Sequence, residues 1–173
     1  ATAEPWGPSW GPDDTILYGQ GSTGVWKIPA SGGVPENIIE VGERQFAYGP
    51  QMLPGGRKVL FTLAQDLEWD DAEIVVHSLD TGARQVLVRG TDARYVQSGH
   101  LVYASSGTLL AVGFDPDTLK ITGVPVPVAQ NVAQSNLGRT GAAHFGVSRD
   151  ALVYVPASAL APQSQRTLVW VDR

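Results

Sequence analysis

Four short apolar triplets, each ending in an aromatic residue, recur along this chain and constrain its fold more than any other feature. Their central residues, Leu17, Leu60, Val102 and Val153, follow one another at intervals of about 43, 42 and 51 residues. A turn rich in Gly, Pro, Asp or Ser precedes each triplet, as expected where a strand leaves a tight hairpin. Because self-similarity with a period of this length is the signature of repeat architectures, each triplet is interpreted as one strand of a repeated unit.

Further short strands follow each triplet. A second apolar or alternating run comes after a loop, and in the first three repeats another turn leads into one more strand. The second runs are residues 25–29, 74–79, 109–114 and 168–171, and the further strands are residues 36–40, 84–88 and 124–128. With a strand before each triplet, every repeat is predicted to be an antiparallel meander of strands a, b, c and d, although the last repeat shows no d strand. Pro125 and Pro127 fit an outermost d strand, since an edge strand can spare an N–H donor.

The predicted fold is therefore all-β, a β-propeller or partial propeller of about four antiparallel four-stranded blades within a single domain spanning residues 1–173. The blades are placed at approximately residues 8–41, 42–91, 92–132 and 142–173. A β-sandwich is the alternative, because it also uses short strands at regular spacing. The self-similarity favours the propeller, since a sandwich does not require it.

Composition agrees with this fold and excludes several classes of function. Twenty Gly and twelve Pro, with 17% charged residues, suit many short strands joined by turns. A net charge of -5 without a Lys/Arg cluster argues against a nucleic-acid partner. No stretch approaches the roughly 18 apolar residues of a membrane span, so membrane insertion is not expected. The absence of cysteine excludes thiolate nucleophiles and thiolate metal sites.

Three stretches carry a resemblance to a known family. They are WGPDDTI at residues 10–16, VWKIPASGG at residues 25–33 and LPGGRKVLFT at residues 53–62. They resemble the WD40-like (PD40) repeats of TolB-type β-propellers, and residues 92–95, 99–104 and 107–112 are similar to propeller segments attached to bacterial Ser/Thr protein kinases. The resemblance implies a binding or sensor module in an extracytoplasmic or periplasmic setting. It also implies part of a larger ring, because complete propellers of this family have more than four blades.

An acidic segment in the second repeat is the most conspicuous polar feature. Five carboxylates lie within residues 66–73, in a predicted loop between strands b and c. Such a loop could hold calcium, but the spacing does not follow an EF-hand, so a solvated acidic loop is favoured. Trp69 is unusual in this setting, because an exposed aromatic residue among charges is typical of a partner anchor. Glu68, Trp69, Asp70 and Asp71 are the candidate partner-binding residues; the alternative is that Trp69 folds back on its blade.

The remaining candidates for chemistry are weak. His77, His100 and His144 fall in separate repeats without metal-ligand spacing, and each is interpreted as a strand or edge residue. No Gly-x-Ser-x-Gly elbow and no kinase motif occurs. The sequence therefore predicts no catalytic residue, no metal site and no cofactor, and the chain is expected not to be an enzyme.

The function expected from these observations is a non-enzymatic binding or scaffold module. It would recognise a protein or peptide through the face that carries the b–c and d–a loops, where propellers commonly bind partners. The alternatives are a propeller segment that gates or orients a hydrolase or kinase domain elsewhere in a longer chain, and a small-molecule binder in the channel. Because terminal blades present apolar faces, the chain is also expected to form a homo-oligomer or to dock on further blades.

Overall fold

The computed structural model describes residues 4–11, 13–135, 140–160 and 169–171, and within these ranges the protein is all-β without an α-helix. The fifteen strands are β1 (Trp6–Trp10), β2 (Thr15–Gly19), β3 (Val25–Pro29), β4 (Glu36–Ile39), β5 (Gln45–Met52), β6 (Lys58–Gln65), β7 (Glu68–Ser78), β8 (Arg84–Arg89), β9 (Thr91–Val96), β10 (His100–Ser105), β11 (Thr108–Asp115), β12 (Lys120–Ala129), β13 (Phe145–Val147), β14 (Leu152–Tyr154) and β15 (Val169–Val171). A single 3₁₀ turn occupies Ala157–Leu160 in the described part of the chain. None of its helical segments is long and apolar enough to cross a membrane.

The strands form four antiparallel sheets in which neighbours along the chain are neighbours in the sheet. Blade 1 is β1 to β4, blade 2 is β5 to β8, blade 3 is β9 to β12, and blade 4 contains β13 to β15 among the described residues. This arrangement confirms the predicted propeller architecture. β12 pairs with β11 alone, so its two prolines lie in an outermost strand as predicted.

Three buried clusters between successive blades exclude the sandwich. One lies between blades 1 and 2, a second between blades 2 and 3, and a third, smaller one between blades 3 and 4. The second triplet shows how one strand serves two of them. Val59 and Phe61 pack toward blade 1 and Leu60 packs toward blade 3, because successive side chains of a strand point to opposite faces. A sandwich would instead have one core between two sheets.

The outer part of blade 3 is less well covered on its blade 4 side. Val124, Val126 and Val128 of β12 are exposed by 81%, 55% and 45%. A cavity of about 500 Å³ separates them from the β13–β14 hairpin of blade 4. The well-packed part of the molecule is therefore the stack of blades 1 to 3, and the candidate site lies on the side of that stack where the β6–β7 and β10–β11 turns meet.

Candidate functional site

The acidic segment of the second repeat is not the loop that its composition predicts. β6 ends at Gln65 and β7 begins at Glu68, so only Asp66 and Leu67 form the b–c connection. Both have positive φ, 55° and 63°, as in the two-residue turns that join twisted antiparallel strands. Asp66 is held in place by Arg44, whose side chain pairs with its carboxylate and whose carbonyl accepts its N–H at 2.8 Å. The predicted loop is wrong, and the candidate residues lie on a strand.

The side chains of β7 do not alternate regularly between the two faces of the sheet where the candidate residues lie. Its pairing with β6 shifts between the Leu63–Glu73 and Gln65–Glu68 pairs, so β7 bulges in between. Glu68, Trp69 and Asp70 all line one cavity of about 290 Å³. Asp71 does not line it; Asp71 is exposed and lies 3.4 Å from Arg89 Nη1. The structure thus brings together three of the four candidate residues.

The cavity lies between the b–c turns of blades 2 and 3. Its other walls come from the β10–β11 turn, from the short connection between β8 and β9, and from the segment that leads into blade 4. The lining residues outside β7 are Leu67, Gly90, Thr91, Ala104, Ser105, Ser106, Gln134, Ser135 and Gly141. The walls therefore carry hydroxyl and amide groups in addition to the two carboxylates.

Trp69 packs against the blades. Its ring makes edge contacts with Trp6, at 6.3 Å between centroids, and with Tyr48, at 6.0 Å. Gly141 also lies against the ring, because a Cβ there would come within 2.6 Å of Trp69 Cε3. The indole Nε1–H is nevertheless buried without a hydrogen-bond partner in the described residues. This side chain is fixed in position while its donor stays free.

Thr91 supplies a second unpartnered polar atom. The residue is 5% exposed, and its Oγ1 is buried without a partner among the described groups. More than nine in ten buried polar groups in proteins are hydrogen-bonded, and leaving one unpaired costs about 1 to 3 kcal/mol. Trp69 Nε1 and Thr91 Oγ1 are thus two buried, unpaired polar atoms on residues that line the same cavity.

A buried carboxylate next to Thr91 fixes this region of the backbone. Asp92 is 2% exposed and has a φ of 50°. Its N–H donates to Thr62 Oγ1 of blade 2 at 2.9 Å, and its Oδ2 accepts from the N–H of Ala143, before blade 4, at 2.9 Å. Asp92 therefore ties three blades together at the inner strands.

An arginine completes this junction. Arg94 Nη2 lies 2.7 Å from Asp92 Oδ1, as an ion pair that is not aligned as a hydrogen bond. Burial raises the pKa of Asp92, and the charge of Arg94 opposes that rise. Burial and the nearby Asp92 also raise the pKa of Tyr48, whose ring touches Trp69. The Asp92 contacts thus fix the backbone directly after Thr91, and Tyr48 packs against the Trp69 ring.

The histidines stay apart in the structure. His77 lies in β7, His100 in β10 and His144 just before β13. Among the described residues, no group of three or more His, Asp or Glu side chains could hold a metal ion. The calcium alternative for the acidic segment therefore has no support from the described part of the chain.

Some of the site was not accessible to sequence reasoning. Thr91 is an ordinary strand residue by type, and Trp6 and Tyr48 carry no motif. Only the unusual position of an aromatic residue among acids pointed to the cavity, through Trp69. The other lining groups converge from three blades, and no local pattern signals that.

The chain is similar in structure to solved β-propellers. An oligogalacturonate lyase in complex with manganese superposes with a TM-score of 0.59 at 12% identity, covering 98% of this chain and 49% of that one. The β-propeller domain of the Trilobed protease from Pyrococcus furiosus gives 0.54 at 16% identity, with coverages of 99% and 56%. A puromycin-hydrolyzing peptidase of Mycobacterium tuberculosis gives 0.56 at 16% identity, with coverages of 99% and 28%. The chain thus spans about half the length of the first two structures and less of the third.

The prediction that the chain is not an enzyme is corrected by these similarities. The lyase and the peptidase are enzymes, and the chain superposes on both over nearly its whole length. The lack of a catalytic motif therefore does not exclude activity for a fold that enzymes also use. No protein-family model matches the chain, and no curated protein matches it. At these identities the likeness establishes the fold alone: the chain is a β-propeller protein, a fold that suits binding and scaffold roles.

Proposed function

We propose that this chain is a propeller module that binds a protein or peptide through the cavity between the b–c turns of blades 2 and 3. The observation that carries the proposal is the pair of unpartnered polar atoms there, Trp69 Nε1 and Thr91 Oγ1. Both belong to side chains fixed by the packing around them. Because both atoms are buried, a ligand reaches them through a small displacement of the cavity wall, and it then satisfies two groups that are otherwise unpaired.

A peptide suits the cavity by size and chemistry. About 290 Å³ is at the lower end of small-ligand pockets, which hold roughly 300 to 1,000 Å³, and is enough for one side chain with adjoining backbone. A peptide carbonyl is an acceptor for the indole N–H, and Thr91 Oγ1 both donates and accepts. Large aromatic residues such as Trp69 are the usual anchors of protein interfaces. The resemblance of the repeats to PD40 propellers agrees with such a role.

A second candidate is a propeller segment that gates or orients a hydrolase in a longer chain. The similarity to a peptidase, of which the chain covers 28%, favours it. The two functions are compatible, because a propeller that admits or positions a peptide substrate also binds peptide.

The proposal is tested by selecting displayed random peptides on the immobilised protein and measuring their affinities by fluorescence anisotropy. Two variants remove one polar atom each while keeping the shape: Trp69→Phe removes the indole N–H, and Thr91→Val removes the hydroxyl. We expect each to weaken the selected peptides about three- to tenfold, which corresponds to about 0.7 to 1.4 kcal/mol for one hydrogen bond.

Trp26→Phe is the matched control. Trp26 Nε1 already donates to Thr23 Oγ1 at 3.1 Å, within blade 1 and away from the cavity. This variant is expected to bind like the wild type. Peptides that bind Trp69→Phe and Thr91→Val as tightly as the wild type would contradict the proposal and place recognition on another surface.

A further inference from the structure

The charged residues that line the cavity in the described part of the chain are all of one sign. Glu68 and Asp70 are exposed carboxylates there, and no described basic residue lines it. In the described part of the chain, neither carboxylate has an ion-pair partner. The rim therefore has a negative potential that no residue of the described chain neutralises.

Three nearby acidic residues outside the cavity each have an arginine partner, whereas Glu73, also outside it, has no ion pair in the described part of the chain. Asp66 pairs with Arg44, Asp71 with Arg89, and the buried Asp92 with Arg94. Glu68 and Asp70 are thus two unpaired carboxylates that line one cavity, and in sequence they lie between the arginine-paired Asp66 and Asp71.

The buried hydroxyl of Thr91 adds an independent observation. This side chain is more than nine-tenths buried, lines the same cavity and has no partner for its Oγ1 among the described residues. An ammonium or guanidinium group has only donors to offer, and a hydroxyl oxygen and carboxylates are suitable acceptors for it. Trp69 contributes an indole ring at the same wall, and indole is the aromatic side chain that attracts cations most strongly.

From these observations we infer that the peptide partner inserts a basic side chain, Lys or Arg, into this cavity. The inference rests on the proposed function and specifies its ligand. The charged end lies between Glu68, Asp70 and the Thr91 hydroxyl, while the aliphatic stem lies along Trp69. The Trp69 N–H is then free to donate to a carbonyl of the peptide backbone.

The test uses pools of blocked hexapeptides in which the third residue is fixed and the others are random but not basic. The fixed residue is Lys, Arg, ε-N-acetyl-lysine, citrulline or Glu, and binding to the protein is measured at 0.15 M salt. At this ionic strength charges more than about 8 Å apart are largely screened, so distant charges contribute little. We expect the Lys and Arg pools to bind at least tenfold better than the acetyl-lysine and citrulline pools, and the Glu pool to bind least.

Three variants with the same change in charge locate the effect. Glu68→Gln and Asp70→Asn are each expected to weaken the basic pools about three- to tenfold. Asp71→Asn is the matched control, because Asp71 is adjacent in sequence but outside the cavity, and it is expected to change binding less than twofold.

Three outcomes would overturn the inference. If neutral or acidic pools bind as well as basic ones, and Trp69→Phe weakens them, the proposed function stands and the basic ligand is wrong. If Asp71→Asn weakens binding as much as Asp70→Asn, net charge rather than the cavity attracts the peptide. If no pool and no selected peptide binds, both the inference and the proposed function fail.

Discussion

Replacing Asp92 separates the two ways in which a buried carboxylate can hold the blades together. Its side chain accepts the N–H of Ala143, and its charge faces Arg94. Its backbone adopts a left-handed conformation, with φ of 50°. Asp92→Ala removes the acceptor and the charge and places alanine in a left-handed conformation. Asp92→Asn removes the charge and places an NH2 group opposite Arg94, but it retains a carbonyl acceptor for Ala143 and tolerates left-handed φ.

The expected losses follow from these contacts. Leaving the buried N–H of Ala143 unpaired costs about 1 to 3 kcal/mol, and alanine in a left-handed conformation costs about 1 to 2 kcal/mol. Arg94 adds little, since 26% of its side chain is exposed and it also donates to the carbonyls of Gly49 and Ala93. We expect Asp92→Ala to lower the free energy of unfolding by about 2 to 4 kcal/mol. Asp92→Asn is expected to stay within about 1 kcal/mol of the wild type.

The pH dependence has a definite sign. Burial raises the pKa of Asp92 in the native state above its ordinary value of 3.8. Between the unfolded and the raised native pKa, the native state binds more protons, so this residue makes the free energy of unfolding fall as pH rises. Asp92→Asn lacks that decrease, and the wild type should therefore lose stability relative to this variant as pH rises through that window.

Urea denaturation followed by circular dichroism, repeated between about pH 4 and pH 7, measures both effects. If Asp92→Asn loses as much stability as Asp92→Ala at neutral pH, the ion pair and not the hydrogen bond holds the junction. A wild type that gains stability relative to Asp92→Asn as pH rises would contradict the raised pKa of Asp92.

Three further outcomes are expected from the blade packing. Leu60→Ala should cost about 2 to 5 kcal/mol in urea denaturation, because Leu60 is fully buried between blades 2 and 3; a value near zero would contradict the interblade core. Gly90→Ala should lower the melting temperature more than Gly82→Ala. Both glycines have positive φ, but a Cβ at Gly90 would lie 2.7 Å from a tyrosine ring of β10, whereas Gly82 faces open space. Equal losses would mean that the contact does not matter. Burial, with a contribution from Arg84, lowers the pKa of His77 below 6.5, so protonation of the unfolded state should reduce stability as pH falls below about 6.5; His77→Gln should show a weaker decrease, and an unchanged pH profile would contradict this assignment.

The repeat architecture was predictable because its signal is local. Successive side chains of each triplet point to opposite faces of the sheet. The central residue was predicted to pack between blades, and Leu60 lies in the core between blades 2 and 3. The turn at Asp66 and Leu67 was not predictable, since leucine rarely adopts positive φ and five nearby carboxylates suggested a loop. These charges are compatible with a strand because Glu68, Asp70 and Asp71, at the start of β7, are exposed to solvent.

The candidate site was predictable only in part. Trp69 was singled out as an aromatic residue among acids, and its role in binding stays a prediction. Thr91 has no local signal, because its unpartnered hydroxyl results from how β7, β9 and Gly141 pack together in three dimensions. Asp71 looked equivalent to Asp70 in sequence, and only the bulge in β7 and the pairing with Arg89 separate them.

Peptide binding beside Trp69 is measured most directly by ¹⁹F NMR of protein labelled with 5-fluorotryptophan. The chain has five tryptophans, and Trp69→Phe and Trp26→Phe assign two of the signals. On addition of a selected peptide, we expect the Trp69 signal to shift with the same affinity that anisotropy reports, while the Trp26 signal stays in place. A saturating peptide that leaves the Trp69 signal unmoved, or moves Trp26 instead, would contradict binding beside Trp69.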